Sequence, residues 1–172
     1  MAMQMIASGG IEPLTDSLRT PDADNPRGYY EFERVKQLKT DKAWVGDAVG
    51  KVVKVIHMLL PELPEDREYR VVFMDRSLQE VVASQTAMLS RNAKSGASIS
   101  PERLKAVFEA QLKTVNAWLA NRPQFKILHV PHAEMIRDTA TQANAINNFL
   151  GNDLNLNSML GVVDPNLHRN KC

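Results

Sequence analysis

The chain has little of what builds disulfide networks or membrane spans. Its one cysteine, Cys172, has no internal partner, which excludes an intrachain disulfide and favours a reducing compartment. No apolar run approaches the roughly 20 residues that cross a bilayer. The opening residues MAMQMIASGG lack the basic and apolar regions of a secretory signal. We therefore expect a cytoplasmic protein that makes no use of a membrane.

An excess of charge of one sign is also lacking. The 21 Lys and Arg residues nearly balance the 20 Asp and Glu residues, which leaves a net charge of +1. Such a protein has no field that would collect nucleic acid or an anionic membrane surface. With 172 residues, of which 44% are hydrophobic, the chain can bury one core of ordinary size. We expect residues 1–172 to form a single domain.

Short apolar runs alternate with longer amphipathic segments. Three runs rich in β-branched and aliphatic residues predict buried strands: 51–57 (KVVKVIH), 69–75 (YRVVFMD) and 125–130 (FKILHV). Apolar spacing and capping residues predict helices in five places: the opening residues to Ser8, 31–44, from Ser77 onward, from Ser100 onward, and 138–150 with a stop at Gly151.

Strands that alternate with helices in this way predict an α/β fold with a mostly parallel sheet covered on both faces. In such folds the site lies at the carboxyl ends of the strands. That rule points to Asp75 and Arg76, which end the second predicted strand, and to the residues around His57.

The segment YRVVFMDRSLQEVVASQ resembles the strand, arginine and helix of sulfotransferases that use 3′-phosphoadenylyl sulfate. In that family the arginine and a serine eight residues later bind the 3′-phosphate of the cofactor, and Arg76 and Ser84 have this spacing. A guanidinium at a strand end can form bidentate bonds to phosphate. The alternative is that Arg76 caps a surface strand and Ser84 is a small packing residue.

Further segments follow one another as in bacterial sulfotransferase-like proteins of the P-loop nucleotide-binding superfamily. They are ASGGIEPLTD, DNPRGYYEFERVK, KVVKVIHMLLPELP, NNFLG and VVDPNLHR, so the resemblance covers nearly the whole chain. It implies a three-layer α/β/α fold. It also implies transfer of a sulfonate from 3′-phosphoadenylyl sulfate to the hydroxyl or amine of a small acceptor, with no metal.

The sequence departs from the family at its start. The family begins with a strand and a loop resembling Gly-x-Pro-Arg-Ser-Gly-Thr-Ser, which cradles the 5′-phosphosulfate, whereas MAMQMIASGG resembles later turns of the helix that follows. We expect either a fragment or a shortened relative, with weak or no catalysis. Without the family's first strand, the strands of Tyr69–Asp75 and 125–130 would have unpaired edges, pair directly, or recruit a second copy in a homo-oligomer.

The resemblance also implies catalytic residues. Sulfonate transfer needs a base and a cation, and in the family a strand resembling Lys-Thr-His supplies a lysine and a histidine. Lys54 and His57 are the matching pair, with the histidine one place off the pattern, so an exposed histidine is an equal alternative. Other members use a glutamate soon after the first helix, and Glu31 is the matching residue. The alternative is that Glu31 is simply an acidic residue in the first turn of a helix, where the dipole favours it. The base is therefore Glu31 or His57.

The turn before Glu31 completes the candidate site. Arg27, Tyr29 and Tyr30 are candidate residues for binding the acceptor. His129 and His132 do not predict a metal site, because their separation is short and they are unsupported by Cys, Asp or a further His. The alternative to an enzyme is a non-catalytic protein that keeps the fold and acts by binding a nucleotide or another partner.

Overall fold

Two parallel strands form the centre of the computed structural model, which describes residues 1–16, 18, 20–21, 28–91 and 99–163. The strands are β1 (Tyr69–Asp75) and β2 (Phe125–Pro131), paired along their whole length from Tyr69 opposite Phe125 to Asp75 opposite Pro131. Six α-helices accompany them in the described residues: α1 (Ala2–Gly9), α2 (Leu78–Arg91), α3 (Pro101–Leu119), α4 (His132–Arg137), α5 (Thr139–Leu150) and α6 (Leu156–Leu160). The protein is thus mixed α/β, as expected, and β1 and β2 pair directly.

The helix boundaries follow from the sequence. Ser100 caps α3 by accepting a hydrogen bond from the Arg103 N–H, and Pro101 takes the first turn, where its missing N–H costs nothing. Asp138 caps α5 in the same way through the Thr141 N–H. Gly151 ends α5 at φ 127°, a backbone conformation that glycine adopts without strain. The predictions for the helices α1, α2, α3 and α5 are confirmed.

The prediction of a strand at residues 51–57 was wrong. Only Val52 forms a bridge, in parallel with Pro13, and a short 3₁₀ helix, His57–Glu62, begins at the end of the segment. Ile56, just before this helix, has an extended backbone (φ −75°, ψ 143°), and Lys51 and Lys54 form ion pairs with Glu12 and Glu31. An extended segment becomes a strand only when a neighbour offers a ladder of backbone hydrogen bonds.

The predicted helix over residues 31–44 was also wrong in form. The chain makes two short 3₁₀ helices instead, Glu33–Gln37 and Ala43–Ala48. Asp41 lies between them, accepts a hydrogen bond from the Ala43 N–H and pairs with Arg34 at 2.8 Å. Aspartate side chains that bond to nearby N–H groups compete with continuous helix, and here that local bonding divides the segment.

Each face of the two-stranded sheet packs against its own apolar cluster. The α3-side core contains the buried residues Val35, Leu38, Trp44, Val45, Leu59, Leu60, Leu63, Val115, Leu119 and Phe125. The α5-side core contains Met5, Ile6, Val130, Met135, Ala143, Ile146 and Met159. Val71 and Phe73 of β1 pack on the first and Val72 and Met74 on the second, because successive strand residues point to opposite faces.

No helix in the described part of the chain is both long enough and apolar enough to cross a bilayer.

Candidate functional site

A cleft of about 240 Å³ lies at the carboxyl ends of the two strands. β1 and β2 run parallel and end opposite one another, so the residues that follow them come together at one edge of the sheet. The lining consists of residues at the ends of the strands and in the starts of α2 and α4: Asp75, Arg76, Ser77, Glu80, Pro131, His132 and Ala133. The position predicted for the site therefore coincides with a cleft, and Arg76 is in it.

Arg76 forms an ion pair within this cleft. Its Nε lies 2.9 Å from Oε2 of Glu80, which is four residues further along and in the first turn of α2. The Glu80 side chain is only 12% exposed and that of Arg76 28% exposed. A carboxylate this buried needs a partner, and the guanidinium provides one. Sequence reasoning used Glu80 only as a capping residue of the helix with Ser77 and missed its pairing with Arg76, although the four-residue spacing of the two charges was readable.

The structure places Ser84 apart from the cleft lining. Ser84 lies on α2 and is half-buried, but it is not among the residues that line the cleft. Positions 80 and 84 are four apart and therefore share a face of α2. Within the described residues Arg76 bonds Glu80, and no hydrogen bond joins it to Ser84.

Lys54 and Glu31, by contrast, meet. The Lys54 Nζ lies 3.1 Å from Oε1 of Glu31 and 3.5 Å from the carbonyl oxygen of Tyr29. The two residues come from loops far apart in sequence, and the contact brings together two of the three predicted catalytic side chains. Both are partly exposed, 42% for Lys54 and 26% for Glu31, so the pair adds little to stability and is accessible to a ligand.

Residues 15 and 16 fix the position of the Glu31 backbone. The Thr15 hydroxyl and the Asp16 N–H both donate to the Glu31 carbonyl oxygen, at 2.9 and 3.3 Å. The Asp16 carboxylate in turn accepts hydrogen bonds from the backbone N–H groups of Glu33 and Leu18. The hydrogen bond from Glu33 is the main reason that the pKa of Asp16 lies below its ordinary value.

The remaining predicted site residues are more dispersed. His57 is half-buried and its Nε2 lies 3.3 Å from Oε1 of Gln111 on α3, and within the described residues no hydrogen bond joins it to Lys54. Tyr29 and Tyr30 are half-buried, and Tyr30 has a φ of 50°, in the left-handed region that is uncommon for tyrosine. Arg27 lies outside the described residues, as does Cys172.

A second polar pair joins the two strands beside the cleft. The His129 Nδ1 of β2 lies 2.9 Å from Oδ2 of Asp75 on β1, and the His129 ring packs on Phe73 at 5.3 Å between centroids. Within the described residues no three His, Cys, Asp or Glu side chains are grouped to hold a metal ion. Sequence reasoning considered His129 only as a metal ligand and missed this pairing, because the pairing depends on the register of the strands.

Fold and cleft together define a mixed α/β domain with a polar site at the carboxyl edge of parallel strands. No protein-family model, curated protein or solved structure matches the chain.

Proposed function

We propose that the protein is a sulfotransferase-like domain with a three-layer P-loop-type fold, and that its cleft binds the 3′-phosphate of 3′-phosphoadenylyl sulfate. The observation that carries the proposal is Arg76, which directly follows β1 and lines the cleft at the carboxyl edge of two parallel strands. This is the position that the resemblance gives to the phosphate-binding arginine.

The chemistry of the cleft suits a phosphate group. Arginine presents a planar fork of N–H donors that matches two phosphate oxygens. Within the described residues, Glu80 is the one hydrogen-bond partner of the Arg76 guanidinium, and it uses Nε alone. α2 begins two residues after Arg76 and contributes the positive end of its dipole.

Lys54 and Glu31 are the residues to which we assign the transfer step. During transfer the acceptor hydroxyl or amine loses its proton, its oxygen or nitrogen bonds to sulfur, and the bond from sulfur to the 5′-phosphate oxygen breaks. Lys54 would offset the negative charge on the moving sulfonate, and Glu31 would take the proton. We assign the base to Glu31 rather than His57, because Glu31 contacts Lys54 whereas His57 contacts Gln111.

A second candidate is a protein that binds the nucleotide without transferring sulfonate. The observation in its favour is that Lys54 is already bonded to the Glu31 carboxylate and the Tyr29 carbonyl oxygen, contacts that tie two loops together. In this case the cleft would bind adenosine 3′,5′-bisphosphate and the pair of Lys54 and Glu31 would serve only to hold two loops together.

Calorimetry with two nucleotides tests the phosphate site. We expect adenosine 3′,5′-bisphosphate to bind more tightly than adenosine 5′-monophosphate, which lacks the 3′-phosphate, and Arg76→Ala to remove that difference. Arg70→Ala is the matched control, since Arg70 is an exposed arginine at the other end of β1 that bonds the Phe149 carbonyl. Equal affinity for the bisphosphate in wild type and Arg76→Ala would overturn the assignment.

A transfer assay separates the two candidates. With 3′-phosphoadenylyl sulfate and a phenol as acceptor, an enzyme releases adenosine 3′,5′-bisphosphate, and Lys54→Ala and Glu31→Gln should each lower the rate by about 100-fold or more. Lys51→Ala is the control, because Lys51 pairs with Glu12 in a similar exposed contact. Binding without any release of product would support the second candidate.

A further inference from the structure

The guanidinium of Arg76 has two edges that can each bind two oxygens. One edge includes Nε and the other is formed by the two terminal nitrogens, Nη1 and Nη2. Oε2 of Glu80 accepts from Nε at 2.9 Å, and the described residues make no further hydrogen bond to this guanidinium. The contact therefore leaves the edge with the two terminal nitrogens available to a ligand.

Glu80 is a fixed partner. Its side chain is 12% exposed and projects from the first turn of α2, where the helix dipole favours a carboxylate. Arg76, which precedes the helix, would otherwise have the rotamer freedom of a long side chain. A buried acceptor that binds Nε restricts this freedom before any ligand arrives.

We infer that Glu80 is a positioning residue that holds Arg76 by Nε and presents its terminal nitrogens to a phosphomonoester in the cleft. The inference rests on the proposed phosphate site and assigns it a second residue. Glu80 takes no part in binding the ligand itself.

The negative charge of Glu80 would weaken the binding of an anion, whereas its positioning of Arg76 would strengthen that binding. Glu80 and Asp75 both line the cleft, so each carboxylate opposes an anionic ligand there. Comparing the wild type with an alanine variant would mix the two effects. Glu80→Gln removes the charge but keeps an oxygen that can accept from Nε, whereas Glu80→Ala removes both.

The decisive comparison is therefore between E80Q and E80A, which have the same net charge. Calorimetry with adenosine 3′,5′-bisphosphate should show binding about tenfold weaker in E80A than in E80Q, because Arg76 must then be ordered by the ligand. In an Arg76→Lys background, which has no Nε edge, this ratio should fall to about one. Equal binding by E80Q and E80A with Arg76 present, or tighter binding by E80A, would show that Glu80 does not position Arg76.

A measurement that needs no nucleotide tests the positioning role of Glu80 even if the proposed function is wrong. In NMR spectra, the Nε–H signal of Arg76 should be protected from exchange in wild type and E80Q and lost in E80A. Inorganic phosphate should shift the Arg76 signals in E80Q more than in E80A. If the bisphosphate does not bind but these signals behave as stated, the nucleotide assignment fails and the positioning role stands. If E80A keeps the protected signal, the positioning role fails.

Discussion

Asp16 is the side chain that ties the loop before Glu31 to the segment preceding it. Its carboxylate accepts two backbone hydrogen bonds, and the one from Glu33 does most to lower its pKa from the ordinary 3.8. A carboxyl group with a lower pKa in the folded state stabilises the fold at a pH above its unfolded pKa. That contribution is lost as the pH falls through the folded pKa.

The pH dependence of the Asp16→Asn variant follows from this sign. We expect D16N to be less stable than wild type at about pH 7 and the difference to shrink as the pH falls below the ordinary pKa of 3.8 and the wild-type carboxylate becomes protonated. Urea unfolding across this range measures it. Asp47→Asn is the control, since Asp47 is an exposed aspartate in the 3₁₀ helix Ala43–Ala48. A D16N deficit that stays constant with pH would contradict the argument.

At this scale the sequence predicted where a residue lies better than what it contacts. Arg76 was expected at the end of a strand and directly follows β1, whereas the roles of Arg76, Lys54 and Glu31 in a site stay predictions. The pairing of Glu80 with Arg76 and that of Asp75 with His129 were missed, since which side chain occupies a partner's hydrogen-bonding edge depends on rotamers and strand register. The sequence shows that Arg76 and Glu80 are four residues apart, but not that they pair within the cleft.

At the scale of elements, Gly151 shows how one residue defines an end. It terminates α5 at φ 127°, and its N–H donates to the Asn147 carbonyl. The turn it makes lets the Asn147 side chain accept the Leu154 N–H, which fixes the chain that leads into α6. A residue with a Cβ is strained in this conformation.

Gly151→Ala should destabilise the protein by about 1–2 kcal/mol because of that strain. Gly46→Ala is the matched control: its φ is ordinary and an added Cβ would meet no heavy atom within 4 Å. That substitution should be neutral or stabilising by about 0.4–1 kcal/mol. Thermal unfolding of both variants measures the contrast, and similar midpoints for the two would refute the role given to the backbone of Gly151.

The elements also show where sequence patterns stop being sufficient. Residues 51–57 have four β-branched residues and β1 has two, yet only β1 has a neighbour along its whole length. Capping residues, by contrast, act within one turn, so the starts of α3 and α5 and the end of α5 were predictable. Structure that depends on a partner distant in sequence, such as the pairing of strands, was not predictable.

At the scale of the whole molecule, the sheet connects two cores. The α3-side core and the α5-side core pack on opposite faces of the same two strands, β1 and β2, so they share one sheet. A cooperative single domain over residues 1–172 is what this arrangement predicts. Assembly into a homo-oligomer through the outer edges of the strands stays a prediction that sedimentation at several concentrations would test.

Cooperativity can be measured by changing one core and observing the other. Ile146→Ala removes a fully buried side chain from the α5-side core and should cost about 2–5 kcal/mol. Tryptophan fluorescence reports on the α3-side core through Trp44 and Trp118, and its midpoint should fall together with that of far-UV circular dichroism. Ile56→Ala, at an exposed position, is the control. Separate transitions would indicate two folding units.

The direct pairing of β1 with β2 also has a consequence for how the chain folds. α2 and α3 both lie between the two strands in sequence, so the central contacts close a long loop and cannot form by local zippering. The helices, whose caps are local, can form on their own much sooner. Formation of the parallel ladder is then the slow event in folding, and the cleft at its carboxyl edge is among the last features of the protein to be assembled.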